Sequence, residues 1–271
     1  MDLLHWTLFG VLPALAAVLV FVGIGGARFL ALGIAVAMCV PFGMAAGWPD
    51  WPWHLAVRHG DPVPWFWWCL AISGVVGIAY DTKLLPKVVL LVCELALVAF
   101  VPWLLSAPLR AGWSYERCVV FLSAAWAVLF ATWWVLRTAS KAHPGMAVPL
   151  VGTIALVADA LVLHAHGATF GWRLAGVGAV ALGVAVATTL WRRPFVCGTG
   201  ASLCIAIAHA GVCWTNRGER ELLQAPFVLA LLAPLGLWVG TTKAFADGRT
   251  TGMVVGVGLT AAMAASAVVF A

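Results

Sequence analysis

The chain has 271 residues, of which 64% are apolar and only 9% are charged, and its mean hydropathy is +1.04. A soluble globular protein is about half apolar and about a quarter charged, so these few charges cannot cover a folded chain and an ordinary soluble domain is excluded. The net charge of +5 comes from single or paired basic residues between apolar runs, which excludes a nucleic-acid interface.

Ten apolar segments follow one another along the chain, each close to the roughly 20 residues that a helix needs to cross the hydrocarbon core. They are 6–23, 29–46, 64–80, 84–106, 114–136, 146–164, 170–191, 195–215, 222–240 and 251–271. We therefore predict an all-α fold, a polytopic transmembrane helical bundle of about ten spans forming one domain over residues 1–271. Eight or nine spans stay open, because Gly, Pro or paired Arg interrupt several segments.

The distribution of Lys and Arg predicts the orientation of the bundle. Nine basic residues fall on one side of a ten-span chain: Arg28, Lys83, Lys87, Arg137, Lys141, Arg192, Arg193, Lys243 and Arg249. Six fall on the other side: Arg58, Arg110, Arg117, Arg173, Arg217 and Arg220. The richer side is predicted to be cytoplasmic, which places both termini on the extracytoplasmic side.

The loop 47–63 is the one long connection, and the predicted orientation makes it extracytoplasmic. It is rich in Trp, which is typical of an aromatic belt at the membrane surface. The alternative is a binding surface on the outer face. The candidate residues for that surface are Trp51, Trp53, His54, Arg58, His59 and Asp61.

Two acidic residues lie inside apolar segments. Glu94 is near the middle of the fourth segment, and Asp159 is in the outer half of the sixth. A bare charge at the bilayer centre is costly, so each carboxylate must be neutral, paired or facing a hydrated cavity. These positions are the core of a candidate intramembrane polar site.

Histidines are the expected partners of these acids. His164 and His166 end the sixth segment, and His209 lies in the outer half of the eighth, so Asp159, His164 and His209 reach similar depths. A carboxylate beside an imidazole relays protons, binds a cation or holds a polar substrate. It equally forms a structural hydrogen bond that fixes the helix register, and the sequence leaves both interpretations open.

No metal site and no cofactor is predicted. The i, i+2 spacing of His164 and His166 puts their rings on different sides of a helix, and the i, i+4 pair of His209 and Cys213 supplies only half a site. The seven Cys contain no C-x-x-C pair, so a disulfide framework is not expected. G-x-S-x-G, H-E-x-x-H, P-loop and dinucleotide motifs do not occur in the sequence.

A stripe of small residues in the last segment predicts close helix packing, because small side chains let backbones approach in lipid. The stripe is Gly252, Gly256, Thr260 and Ala264. Its neighbour is either another helix of this chain or a membrane-protein partner. The lipid bilayer is the other expected partner.

The second half of the chain resembles a known group of sequences. The stretches Gly171-Trp-Arg-Leu-Ala-Gly-Val-Gly, Thr189-Leu-Trp-Arg-Arg-Pro194 and Leu235-Gly-Leu-Trp238 look like the back half of uncharacterised bacterial polytopic integral membrane proteins. The resemblance implies a multi-pass protein of the bacterial inner (plasma) membrane. It implies no activity.

Three classes of function follow from these observations. The favoured one is a non-catalytic membrane component or subunit, whose buried acids would be satisfied locally. The first alternative is a small-molecule or ion transporter of the ten-helix type, which a division into five plus five helices suits. The second is a membrane-embedded enzyme that acts on a lipid-linked substrate, with Asp159 and a histidine as acid and base.

Overall fold

The computed structural model describes residues 11–46, 62–106, 112–143, 145–191, 198–216, 224–242 and 249–271. Ten helices make up nearly all of this part of the chain, and it contains no strand. The predicted all-α helical bundle is therefore confirmed. The helices are α1 (Leu12–Gly25), α2 (Leu30–Ala46), α3 (Pro62–Asp81), α4 (Lys87–Leu105), α5 (Tyr115–Ala142), α6 (Ala147–Ala165), α7 (Thr169–Trp191), α8 (Ala201–Asn216), α9 (Ala225–Gly240) and α10 (Arg249–Val269).

Five of the helices are long and apolar enough to cross a membrane: α4, α5, α6, α7 and α10. Four shorter apolar helices accompany them: α1, α2, α8 and α9. Each of the ten helices overlaps one of the ten predicted segments. The helices identify a membrane protein, whereas a count of ten crossings and the side on which the termini lie stay predictions.

Helix α8 occupies the centre of the bundle. Every residue from Ala201 to Trp214 is buried, and the helix contacts α2, α3, α4, α5, α6, α7 and α9. Because neighbouring helices surround α8, its few polar side chains are enclosed by protein and do not face lipid.

The outer helices have the opposite character. Only a third of the most apolar window of α4 and of α5 is buried, and Val88, Phe100, Val120 and Trp134 are each more than half exposed. An exposed apolar surface of this extent is not expected in water. It is the surface that a bilayer would cover.

Helix α5 continues beyond the predicted end of its segment at residue 136. Thr138, Ala139 and Ser140 carry it on to Ala142, and His143 closes it with its N–H on the carbonyl of Ala139. The apolar count stopped at Arg137, but a polar side chain does not end a helix whose backbone hydrogen bonds continue. Arg137 thus lies inside the bundle and is only 8% exposed, which corrects its predicted place in a loop.

The small-residue stripe of α10 packs against α9. Gly252, Gly256, Thr260 and Ala264 are all buried. A Cβ added to Gly256 would lie 3.1 Å from Leu237 of α9. The stripe is used within this chain, which corresponds to the first of the two predicted neighbours.

The closest approach of α9 and α10 gives a testable prediction. A Cβ on Gly240 would lie 2.0 Å from the carbonyl oxygen of Gly252, a backbone atom that cannot rotate away. We expect Gly240→Ala to lower the free energy of unfolding in detergent by about 1–3 kcal/mol. Gly258→Ala is the control, because nothing lies within 4 Å of its added Cβ, and it should be neutral or stabilising. Equal losses of stability in Gly240→Ala and Gly258→Ala would contradict the close contact between α9 and α10.

Candidate functional site

Asp159 of α6 and His209 of α8 form a buried hydrogen-bonded pair. His209 Nδ1 lies 2.6 Å from Asp159 Oδ2, and the Sγ of Cys213 donates to Asp159 Oδ1 over 3.4 Å. Asp159 and Cys213 are fully buried, and His209 is 1% exposed. Both carboxylate oxygens therefore have partners within the protein. The expected contact between Asp159 and a histidine from another helix is present.

The second ring nitrogen of His209 is also engaged. Nε2 lies 3.3 Å from the carbonyl oxygen of Leu231, and a carbonyl only accepts, so Nε2 carries a hydrogen. Nδ1 then either donates to an ionised Asp159 or accepts from a protonated one. Both arrangements place a single proton between Nδ1 and Oδ2, and neither leaves a ring nitrogen available to a further ligand.

A break in α9 explains why the Leu231 carbonyl points at His209. The α-helix stops at Leu232, and a 3₁₀ turn from Ala233 to Leu235 contains Pro234. Proline has no N–H to donate to the carbonyls of the preceding turn. His209 supplies a donor to one of them. A second histidine donates to a carbonyl at the end of α9: His143 Nε2 donates to the carbonyl of Gly240 over 3.1 Å.

Glu94 is paired with an arginine, which corrects the expectation that a histidine would hold it. Arg137 Nη1 of α5 donates to Glu94 Oε2 of α4. Arg137 Nη2 donates to the hydroxyl of Tyr80 over 3.2 Å. The guanidinium also lies over the rings of Tyr80 and Trp133, 5.1 Å from each centroid. Arginine suits this position because its planar group both bonds and stacks.

The cluster around Arg137 contains buried polar groups without hydrogen-bond partners, unlike the carboxylate of Asp159. Glu94 is fully buried, but its Oε1 has no hydrogen-bond partner. The indole nitrogen of Trp133 and the hydroxyl of Thr132 are also buried without a partner. Arg137 in addition lines an open groove of about 560 Å³ between α4 and α5.

The remaining predicted residues lie elsewhere. The ring of His164 is exposed and stacks edge-on against Trp172, with centroids 5.2 Å apart. His166 donates from Nδ1 to the carbonyl of Val162 over 2.9 Å and packs on Phe227. The outer-face candidates Trp51, Trp53, His54, Arg58, His59 and Asp61 lie outside the residues that the structure describes.

No protein-family model and no curated protein matches this chain. The chemistry of the site therefore follows from its residues. Among the described residues no group of three His, Cys, Asp or Glu side chains is arranged to hold a metal ion. The six cysteines in that part of the chain are free thiols.

Asp81 is a further polar contact that the sequence did not reveal. It ends α3, just beyond the predicted span 64–80, and its Oδ1 accepts the N–H of Gly200 over 3.1 Å. Gly200 immediately precedes α8, so the carboxylate lies at the positive end of that helix. Burial raises the pKa of Asp81 to about 6, although the amides of Gly200 and Thr199 and the charge of Arg28 oppose the shift.

This raised pKa predicts a pH dependence of stability. The folded protein keeps the Asp81 proton up to about pH 6, whereas the unfolded chain releases it near the ordinary aspartate pKa of 3.8. The contribution of Asp81 to the free energy of unfolding therefore falls as pH rises from about 4 to about 6, and is constant above that range. Thermal unfolding in detergent across this range tests the prediction. The fall in stability between about pH 4 and pH 6 should disappear in Asp81→Asn and remain in Glu116→Gln, which changes an exposed carboxylate. A constant offset between Asp81→Asn and the wild type would contradict the prediction.

Proposed function

We propose that this chain is a non-catalytic component of a bacterial inner membrane, and that its intramembrane polar groups hold the helices in register. The supporting observation is the state of Asp159: it is fully buried, and both of its oxygens are engaged by side chains of α8. A group that carries protons or substrates needs water or a ligand within hydrogen-bonding reach. Asp159 has protein partners in those positions.

A proton-flux assay in liposomes tests this proposal. Purified protein is reconstituted with a pH-sensitive dye inside, and a pH gradient or a membrane potential is applied. We expect the wild type and Asp159→Asn to give the flux of empty liposomes. Flux above that level in the wild type, lost in Asp159→Asn, would overturn the proposal in favour of transport.

Ion or small-molecule transport is the second candidate, and the Arg137 cluster is the observation that favours it. Glu94 has a buried oxygen without a partner, and Arg137 reaches an open groove. A conducting role for this cluster predicts flux that Glu94→Gln abolishes and Asp159→Asn leaves unchanged. The same liposomes therefore separate the two sites.

The membrane-embedded enzyme receives the least support from the geometry. His209 and Asp159 would be its acid and base, but the two His209 nitrogens contact Asp159 and Leu231. A catalytic base must reach a proton on the substrate. Substrate access would require α6, α8 and α9 to separate.

The predicted orientation is kept in this proposal, with the lysine-rich ends of the helices in the cytoplasm and both termini outside. Arg137 no longer counts as a loop charge, which leaves eight basic residues against six. All four lysines of the chain still fall on the richer side. Reporter fusions to the C-terminus test the orientation: a periplasmic reporter should be active, and an active cytoplasmic reporter would reverse it.

A further inference from the structure

An open groove lies between the ends of two lipid-facing helices. It is formed where α4 begins and α5 ends, and its volume is about 560 Å³. Leu91 and the half-exposed ring of Trp134 form an apolar wall. Arg137 and Lys141, which are one helical turn apart on α5, add two cations to the same groove.

The other end of the same helix pair provides a comparison within the chain. A groove of about 540 Å³ lies there between α4 and α5, and its lining includes Pro102, Trp103 and Trp126. That groove contains no charged residue. Two grooves of similar size on the same helices thus differ in charge, so the cations are a specific feature of one end.

The cationic groove has a positive surplus. Arg137 is balanced by Glu94, and Asp81, the other acid among the described residues at this end, lies at the start of α8. Lys141 has no ion-pair partner among the described residues, and its side chain is exposed. Lys83 lies in the turn before α4 and Lys87 is its first residue, and both side chains are exposed. An anion that binds beside Lys141 would be attracted by all of these charges.

We infer that this groove binds an anionic phospholipid, with its phosphate at Lys141 and Arg137 and an acyl chain along Leu91 and Trp134. Basic pockets between transmembrane helices recognise anionic headgroups. The groove opens between surfaces that lipid covers, so a membrane lipid reaches it by lateral diffusion. Its apolar wall has no function for a free phosphate ion, whereas an acyl chain fills it. The assignment goes beyond the proposed function and does not depend on whether the chain transports anything.

Native mass spectrometry of the purified protein in mild detergent tests the inference. The probes are dioleoyl phosphatidylglycerol and dioleoyl phosphatidylcholine, which share acyl chains and differ in headgroup charge. The variants are Lys141→Gln, Lys141→Glu and Trp134→Ala. Lys83→Glu is the matched control, because it makes the same charge change at the same end of the bundle but outside the groove. Arg137 is left intact, since its pairing with Glu94 supports the fold.

Wild-type protein should bind phosphatidylglycerol more tightly than phosphatidylcholine. Each basic residue near an anionic lipid contributes about a fivefold gain in affinity. Lys141→Gln should therefore weaken phosphatidylglycerol binding about fivefold, and Lys141→Glu by more, while Lys83→Glu changes it less than about twofold. Trp134→Ala should weaken binding of both lipids. Melting temperatures equal to that of the wild type would show that these variants are folded.

Three results would overturn the inference. Equal binding of the two lipids by the wild type would show that the groove does not read the headgroup. Equal losses of phosphatidylglycerol affinity in Lys141→Glu and Lys83→Glu would show that the lipid is attracted by the positive charge of the whole surface and that the groove is not a specific site. Displacement of phosphatidylglycerol by excess inorganic phosphate would assign the groove to a free anion. If the variants fail to fold, the comparison of the two lipids on the wild type, with phosphate competition, decides alone.

Discussion

Arg137→Met is expected to lower the free energy of unfolding by about 3–5 kcal/mol, because it leaves Glu94 as a buried charge without a counter-ion. The Tyr80 hydroxyl loses its donor in the same change. SDS-induced unfolding in mixed micelles, followed by Trp fluorescence, measures the loss. Glu94→Gln should cost less than Arg137→Met, since the guanidinium keeps its contacts with Tyr80 and Trp133.

The double variant Glu94→Gln with Arg137→Met isolates the pairing. It removes both charges together, so it should recover a large part of the loss of Arg137→Met. Arg117→Met is the matched control on the same helix: Arg117 is exposed and lies over the ring of Trp113. Its loss should stay below about 1 kcal/mol. A loss in Arg137→Met no larger than this control would contradict a buried ion pair between α4 and α5.

The second large effect is expected at Asp159, where two substitutions should differ sharply. Asp159→Ala leaves His209 Nδ1 and the Cys213 thiol buried without partners, and we expect a loss of about 3–5 kcal/mol. Asp159→Asn keeps an oxygen for Cys213 and an N–H for Nδ1 of a neutral imidazole. Its loss should be about 1 kcal/mol. The same SDS titration measures both.

The prediction is tested by the difference in stability between Asp159→Ala and Asp159→Asn. Glu116→Ala serves as the control, because this exposed carboxylate lies in the first turn of α5 and its removal should be nearly neutral. Similar, small losses in Asp159→Ala and Glu116→Ala would mean that α8 does not depend on Asp159. Equal and large losses in Asp159→Ala and Asp159→Asn would mean that an amide cannot replace the carboxylate in this geometry.

The sequence predicted the Asp159 contact but not the Glu94 contact, and the reason is physical. Asp159 and His209 are polar groups deep in two apolar segments at one depth, so burial leaves them few partners. Arg137 stands at the end of its apolar run and was assigned to a loop. The two residues come to similar depths only with the observed helix ends: Glu94 lies about 10 Å inside the start of α4, and Arg137 about 8 Å inside the end of α5, at 1.5 Å per residue.

Other features depend on tertiary packing, which sequence spacing does not contain. The stripe on α10 predicted close packing, but not that α9 would supply its neighbour. The segment 222–240 was predicted as one unbroken helix, and the structure shows the break at Pro234. Which donor reaches the Leu231 carbonyl depends on how α8 and α9 lie together. The central place of α8 is likewise a property of the assembled bundle. Apolarity on all sides is shared by helices that face lipid and helices enclosed by protein.

Access of water to Asp159 is the most direct test of the whole account, and Cys213 reports on it because its thiol contacts that carboxylate. A variant that retains Cys213 as its single cysteine is reconstituted in liposomes and treated with a water-soluble maleimide. A second variant that retains Cys118 alone, in the first turn of α5 and half-buried, is the control. We predict rapid labelling of Cys118 and labelling of Cys213 only after SDS unfolding. Labelling of Cys213 in the folded protein at a rate comparable with Cys118 would reveal an aqueous path to Asp159 and contradict a purely structural role.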